Sequence, residues 1–243
     1  MDVGTERKIG VLVKTSFVDF PGRMAATIFL CGCNLYCPYC YNKELVATEL
    51  PEEELVSITQ IICHLKKRKN VLKGFVISGG EPTISPYTEI LIQEAKKLGY
   101  EVKLDSNGML PDKIATYIQN PLLKPDYFAL DVKTSPERYN LMGGHWQNKE
   151  STSERIQRSI DLIATLPPTQ REFRTVLVPG IVDDQEIISI GELLPKDAIW
   201  WLARFKPGTC IDSSYNKITP YSEEKYQALL QLAQSKISGT KIR

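Results

Sequence analysis

Apolar residues in this chain form short continuous runs, separated by stretches in which they recur every three or four positions. The continuous runs lie at 24–31 (MAATIFLC), 74–78, 100–106, 126–132, 172–178 and 199–205. Runs this short, rich in β-branched and aromatic residues, predict strands buried on both faces, as a parallel sheet requires. Residues 9–17 (IGVLVKTSF) predict one more strand, at an edge. Helical spacing appears over 52–69 through Leu55, Ile58, Ile61, Ile62 and Leu65. It appears again over 86–98 through Ile90, Leu91, Ala95 and Leu98, stopping at Gly99, a good C-cap residue. Ser151 and Glu154 form a capping-box pattern ahead of Ile156, Ile160 and Ile163. Asp183 and Glu186 do the same ahead of Ile187, Ile190 and Leu193, and Pro195 limits that helix. A terminal helix is predicted over 222–235.

Strands alternating with helices imply right-handed parallel crossovers. Six such units predict an α/β fold, a partial (β/α)6 TIM-like barrel in a single domain, rather than a closed eight-unit barrel. In a barrel of this type functional residues gather at the C-terminal ends of the strands.

Composition narrows the function classes. The 243 residues suit one large domain, and 42% hydrophobic with 24% charged is an ordinary globular balance. Thirty basic residues against 29 acidic give a net charge of +1, which argues against holding nucleic acid by bulk electrostatics. The densest basic run, His64 with Lys66, Lys67, Arg68 and Lys69, reads as a solvated helix end. No stretch of 18 consecutive residues is apolar, so no membrane helix is expected. The first eight residues are polar and lack an apolar signal core, which makes the cytoplasm the default.

Six cysteines are present, and four lie between residues 31 and 40. Such clustering favours a metal or catalytic site over a disulfide framework. Cys33, Cys37 and Cys40 have the spacing C-x3-C-x2-C. Three thiolates in eight residues can wrap one cubane iron–sulfur cluster and leave one iron open for catalysis. A zinc site using Cys31 as well would be cramped, and the two histidines, His64 and His145, form no ligand-like pair. Cys31 reads as a small buried residue at a strand end, Cys63 as helix core, and Cys210 as structural.

The spacing, with Tyr39 just before the last cysteine, resembles the signature of the radical S-adenosylmethionine (SAM) superfamily. The resemblance implies one 4Fe–4S cluster on Cys33, Cys37 and Cys40. Its open iron binds the amino and carboxylate groups of SAM. Reduction then yields a 5′-deoxyadenosyl radical that removes a hydrogen atom from the substrate. Other segments extend the likeness. Gly79, Gly80 and Glu81 follow the second strand and resemble the family's GGE motif, which holds the methionine amino group. Their glycines would let a ligand lie against the backbone, and Glu81 would accept from an ammonium group; by themselves they are an ordinary turn signal. Asp105 and Ser106 end the third strand, and Asp131 and Lys133 the fourth. They resemble SAM-contacting residues of glycyl-radical-enzyme activases; their plain alternative is a pair of N-caps and a surface lysine. Arg174, followed by Pro179-Gly180, fits the same pattern, though a structural ion pair would also satisfy an arginine among apolar strand residues.

The likeness runs from about residue 17 to about 208, before the terminal helix. It is nearest to the activating proteins of anaerobic ribonucleoside-triphosphate reductase. It implies a glycyl radical enzyme as partner, a flavodoxin- or ferredoxin-type electron donor, and neither nucleic acid nor membrane. The stretch 204–208 has no histidine for the adenosyl end, where Phe205 could stack. No second cysteine cluster is present. A radical SAM enzyme on a small molecule, of the 7-carboxy-7-deazaguanine synthase kind, and a non-enzymatic iron–sulfur or zinc protein are the alternatives.

Overall fold

All six predicted core strands form, and each begins and ends within about two residues of the apolar run that predicts it. In chain order the elements of this computed structural model are β1 (Lys8–Ser16), β2 (Ala25–Leu30), α1 (Lys43–Ala47), β3 (Val56–Ser57) and α2 (Ile58–Arg68). Then follow β4 (Gly74–Gly79), α3 (Thr88–Lys97), β5 (Glu101–Ser106), α4 (Pro111–Gln119) and β6 (Tyr127–Asp131). The remainder is α5 (Thr152–Ala164), β7 (Arg171–Leu177), α6 (Asp184–Leu193), β8 (Trp200–Arg204), α7 (Glu223–Lys236) and β9 (Thr240–Ile242). The structure describes residues 6–144 and 151–243. His145 and the first five residues of the polar N-terminal stretch lie outside the described residues. The architecture is α/β with mostly parallel strands.

The chain divides into two compact units. The first comprises Met1–Asn34, Glu44–Ser106 and Ala115–Phe128, and the second Leu35–Lys43, Asn107–Ile114 and Ala129–Arg243. In the first unit the strands pair in the order β3-β1-β2-β4-β5. β2, β4 and β5 run parallel, while β1 is antiparallel to both β2 and β3. Phe20, Ala25, Val76 and Tyr127 form a buried cluster there. In the second unit β7, β8 and β9 pair in parallel. Its core includes Trp200, fully buried, whose indole N–H donates to Thr175 Oγ1 at 3.0 Å. A buried indole needs such a partner.

The helix expected over 52–69 starts later. A 3-10 turn covers Glu52–Glu54, β3 follows, and α2 begins only after Ser57. Ser57 and Gln60 form a capping box, Ser57 Oγ accepting from the Gln60 N–H and Gln60 Oε1 from the Ser57 N–H at 2.8 Å. These two bonds set the helix start and overrule the upstream periodicity. α2 buries Ile58, Ile61 and Leu65. Cys63 is exposed, so it is not core as its position on the helix suggested. The other caps are as predicted: Ser151 with Glu154, Asp183 with Glu186, and a left-handed Gly99 at φ 85°. No helix among the described residues is long and apolar enough to cross a membrane.

β1 is not an outermost strand, because β3 pairs with its first residues. Its approach to β2 is close: a Cβ on Gly10 would sit 2.1 Å from the Phe29 carbonyl oxygen. Gly10→Ala is therefore expected to lower stability by about 1–3 kcal/mol, as overpacking does, read as a fall in the urea midpoint at unchanged slope.

Candidate active site

The cysteine stretch leaves β2 through Cys31 and Gly32, and local backbone contacts fix its path. In the first unit, Cys31 N–H donates to Ile9 O at 3.0 Å and Gly32 N–H to Leu45 O at 2.8 Å. Gly80 N–H donates to Leu30 O and Glu81 N–H to Gly32 O, both at 2.9 Å. The glycine pair makes this possible. A Cβ on Gly79 would lie 2.2 Å from Leu30 N, and one on Gly80 would lie 1.9 Å from Gly32 O. The sequence suggests that these glycines clear room for a ligand. In the structure they clear room for the backbone that leads into Cys33. Gly79 also takes φ 115°, which a side chain would strain.

Glu81 is 1% exposed, and its Oε1 accepts from the Thr83 N–H, the Thr83 hydroxyl and the Ser106 hydroxyl at 3.0, 2.5 and 2.9 Å. A buried carboxylate held by three donors at one oxygen is fixed in orientation before any ligand arrives. Asp105 is engaged at both oxygens. Oδ1 accepts from Lys103 Nζ at 2.7 Å and Oδ2 from the Ser78 hydroxyl at 2.8 Å. Lys103 is 2% exposed. Lys103, Ser78 and Thr83 are parts of this network that motif reading missed. A signal for Lys103 was present: residues two apart on a strand share a face, so a lysine within an apolar strand points the same way as Asp105.

In the second unit, the backbone of residues 35–43 is tied down at several points. Tyr36 N–H donates to Met142 O, Asp212 N–H to Pro38 O, Ile211 N–H to Cys40 O and Cys40 N–H to Cys37 O, all between 2.9 and 3.1 Å. Asp131, Lys133 and Arg174 form a charge triad. Asp131 Oδ1 accepts from Arg174 Nε at 2.6 Å and Oδ2 from Lys133 Nζ at 3.1 Å. Asp131 is neither an N-cap nor Lys133 a surface lysine; the structural ion pair foreseen for Arg174 is present. Burial would push the Asp131 carboxyl up, but the neighbouring guanidinium and ammonium outweigh it and hold it well below the usual carboxylate range. Burial likewise opposes the Lys133 charge, and the Asp131 carboxylate reverses that and raises the ammonium well above its ordinary value. Tyr139, unforeseen, accepts from the Lys133 N–H at 2.9 Å and donates to Asp131 O at 3.3 Å.

No cysteine is joined in a disulfide. Cys37 is buried, while Cys33 and Cys40 are partly exposed. Cys31 is half-exposed, not buried as its place at a strand end suggested, and burial still pushes its thiol up. Cys210 is buried and its thiol is raised for the same reason. Phe205 is 1% exposed and stacks on Tyr41 with ring centroids 6.4 Å apart. Among the described residues no three His, Cys, Asp or Glu side chains converge as ligands of one metal ion. A cubane does not ask for that convergence, since each thiolate takes its own iron. Three soft thiols within eight residues of irregular backbone fit an iron–sulfur cluster by donor chemistry. Tyr39 adds a second sign: its hydroxyl is buried and makes no hydrogen bond among the described residues.

Two outcomes follow. Gly80→Ala is expected to cost about 1–3 kcal/mol and to lower iron bound after anaerobic reconstitution. Gly208→Ala, where nothing lies within 4 Å of the added Cβ, should leave both unchanged. Asp131 titrates lower in the folded chain than its unfolded value of about 3.9. The stability it adds is complete above that value and is lost as pH falls through the depressed folded value. Urea stability of the wild type should therefore decline more steeply below about pH 4 than that of Asp131→Asn.

Known proteins resemble this chain in sequence and in fold. Residues 27–191 match the family model described as Radical SAM superfamily. A Methanocaldococcus jannaschii protein named "Putative glycyl-radical enzyme activating enzyme MJ1227" is 30% identical over 233 residues, covering 96% of this chain and 94% of its own. The pyruvate formate-lyase-activating enzyme of Staphylococcus epidermidis is 28% identical over 188 residues, 73% of this chain and 71% of that protein. Among solved structures, Streptococcus suis SuiB bound to S-adenosylmethionine shares the fold, with TM-score 0.57 and 17% identity over 87% of this chain and 48% of SuiB. The cysteine spacing, the glycine pair and a family match across most of its length together make this chain a member of the radical SAM superfamily, an enzyme whose cofactors are a 4Fe–4S cluster and S-adenosylmethionine.

Proposed function

We propose that this enzyme is a glycyl-radical-enzyme activase that takes a hydrogen atom from a backbone glycine of an anaerobic ribonucleotide reductase. The observation that carries the activase reading is the 30% identity over 96% of the chain to the Methanocaldococcus jannaschii protein named as a glycyl-radical enzyme activating enzyme; the reductase as partner rests on the sequence resemblance. The match to a pyruvate formate-lyase-activating enzyme supports the activase reading; a 7-carboxy-7-deazaguanine synthase of Hyperthermus butylicus, 24% identical over 77% of this chain, supports the small-molecule alternative. In this reading Cys33, Cys37 and Cys40 hold the cluster. Tyr39, Gly79, Gly80, Glu81, Asp105, Ser106, Asp131, Lys133 and Arg174 serve SAM. Cluster and SAM, when bound, supply one-electron chemistry that ends in hydrogen-atom removal.

The chain's own residues then have definable tasks. Thr83 and Ser106 hold the Glu81 carboxylate at one oxygen, which presets it for an ammonium group. Arg174 and Lys133 keep Asp131 ionised at any physiological pH, so it acts as a hydrogen-bond acceptor and not as a proton donor. Lys103 and Ser78 hold Asp105 in place by an ion pair and a hydrogen bond. A flavodoxin- or ferredoxin-type protein supplies the electron. The setting is the cytoplasm, where thiols stay reduced, with neither membrane nor nucleic acid involved. The single-domain reading, a radical SAM core over about 17–208 followed by the terminal helix at 222–235, belongs to the same proposal.

The test begins with anaerobically reconstituted, reduced protein mixed with SAM. The wild type should yield 5′-deoxyadenosine by chromatography, and Cys37→Ala none. Adding an anaerobic ribonucleotide reductase should then produce a glycyl radical signal by electron paramagnetic resonance. 5′-Deoxyadenosine without that signal, but with turnover of a purine-like small molecule, would overturn the activase reading. Zinc in place of iron after reconstitution would overturn the cluster assignment.

A further inference from the structure

The first unit contains a cavity of about 240 Å3 that the proposed reaction does not use. Arg7 and Lys8, at the start of β1, line it together with Thr48, Ile84, Ser85 and Tyr87. No acidic residue is among its lining within the described residues. Lys8 Nζ donates to the neutral Gln60 Oε1 at 3.1 Å. Among the described residues neither Arg7 nor Lys8 makes an ion pair, so both cations are available to an anion at the cavity. Thr48 holds φ 59°, a left-handed conformation rare for a β-branched residue. Strain of that kind is kept where the surroundings require it.

We infer that this cavity binds a small phosphomonoester. A phosphate monoester carries a charge of about −1.5 to −2 at neutral pH, which matches two cations, whereas a carboxylate would leave one unneutralised. The Arg7 guanidinium can bind phosphate through two parallel N–H donors, and the lysine serves as a point charge. Thr48, Ser85 and Tyr87 carry hydroxyls that can donate to further phosphate oxygens. Ile84 and the Tyr87 ring suit the organic part. At about 30 Å3 per water, 240 Å3 equals about eight water volumes, below the range of drug-sized ligands. The site is an effector site by its position. Cys31, two residues before Cys33, lines it, and Ile84 to Tyr87 follow Glu81 directly. Occupancy ties the strand end that leads into the cysteine stretch to the loop that carries Glu81. The inference stands independently of which substrate the enzyme activates.

The test is calorimetric titration of phenyl phosphate into the cluster-loaded protein under anaerobic conditions. Wild type should bind phenyl phosphate more tightly than benzoate or inorganic phosphate. Arg7→Ala/Lys8→Ala should weaken binding at least tenfold. Lys66→Ala/Lys67→Ala, which removes two exposed cations of α2, should leave it unchanged. Arg7→Gln alone, at an exposed side chain, should weaken it in the same direction while the melting curve stays that of the wild type. No binding by the wild type, equal binding by both double variants, or benzoate binding as tightly as phenyl phosphate would each overturn the assignment.

Discussion

A contact between two backbones underlies the candidate site. Where β2 and β4 end, Gly79 and Gly80 approach Leu30 and Gly32 so closely that either Cβ would fall about 2 Å from a main-chain atom. Two hydrogen bonds of 2.9 Å close the contact. Its consequences run in two directions along the chain. One is the path of the segment entering Cys33. The other is the position of Glu81, which follows Gly80 and donates its own N–H to Gly32 O. Only residues without a Cβ permit this approach, so the motif's glycines act through packing before they act on any ligand.

Buried charge in both units is arranged by one rule. Lys103 and Asp105 are two apart on β5; Asp131 and Lys133 are two apart at the end of β6. On an extended chain such residues face the same way, so each lysine meets its aspartate without help from distant sequence. The third members come from elsewhere: Ser78 from β4 for Asp105, and Arg174 from β7 for Asp131. Removing one partner of a buried pair leaves an uncompensated charge and costs about 3–5 kcal/mol. The arrangement therefore fixes the charges at the very strand ends at which the family does its chemistry.

Local signals made most of the secondary structure legible. Buried strands announced themselves as apolar runs, and capping boxes at Ser151 and Asp183 marked helix starts because their partners lie only three residues away. The same logic explains the error over 52–69. The capping pair Ser57 and Gln60 was equally local, but apolar residues upstream continued the helical period and masked it. Cys63 was misplaced for a different reason: the predicted face, Ile58, Ile61 and Leu65, is the one buried, and at 3.6 residues per turn Cys63 lies off it. β9 passed unnoticed because it is short, and α4 was missed although its apolar positions recur at helical spacing as clearly as those of α2.

By itself the sequence determined the fold class, the close spacing of Cys33, Cys37 and Cys40 and the glycine–glutamate turn, since each rests on patterns within a few residues. Tertiary structure alone decided who holds whom. That Ser78 joins Asp105, that Arg174 is spent on Asp131, that Phe205 stacks on Tyr41, and that Arg7 and Lys8 rim a cavity with Tyr87 all depend on residues far apart in the chain. Hydrogen bonds and ion pairs act over about 3 Å, and only folding brings such residues within that reach.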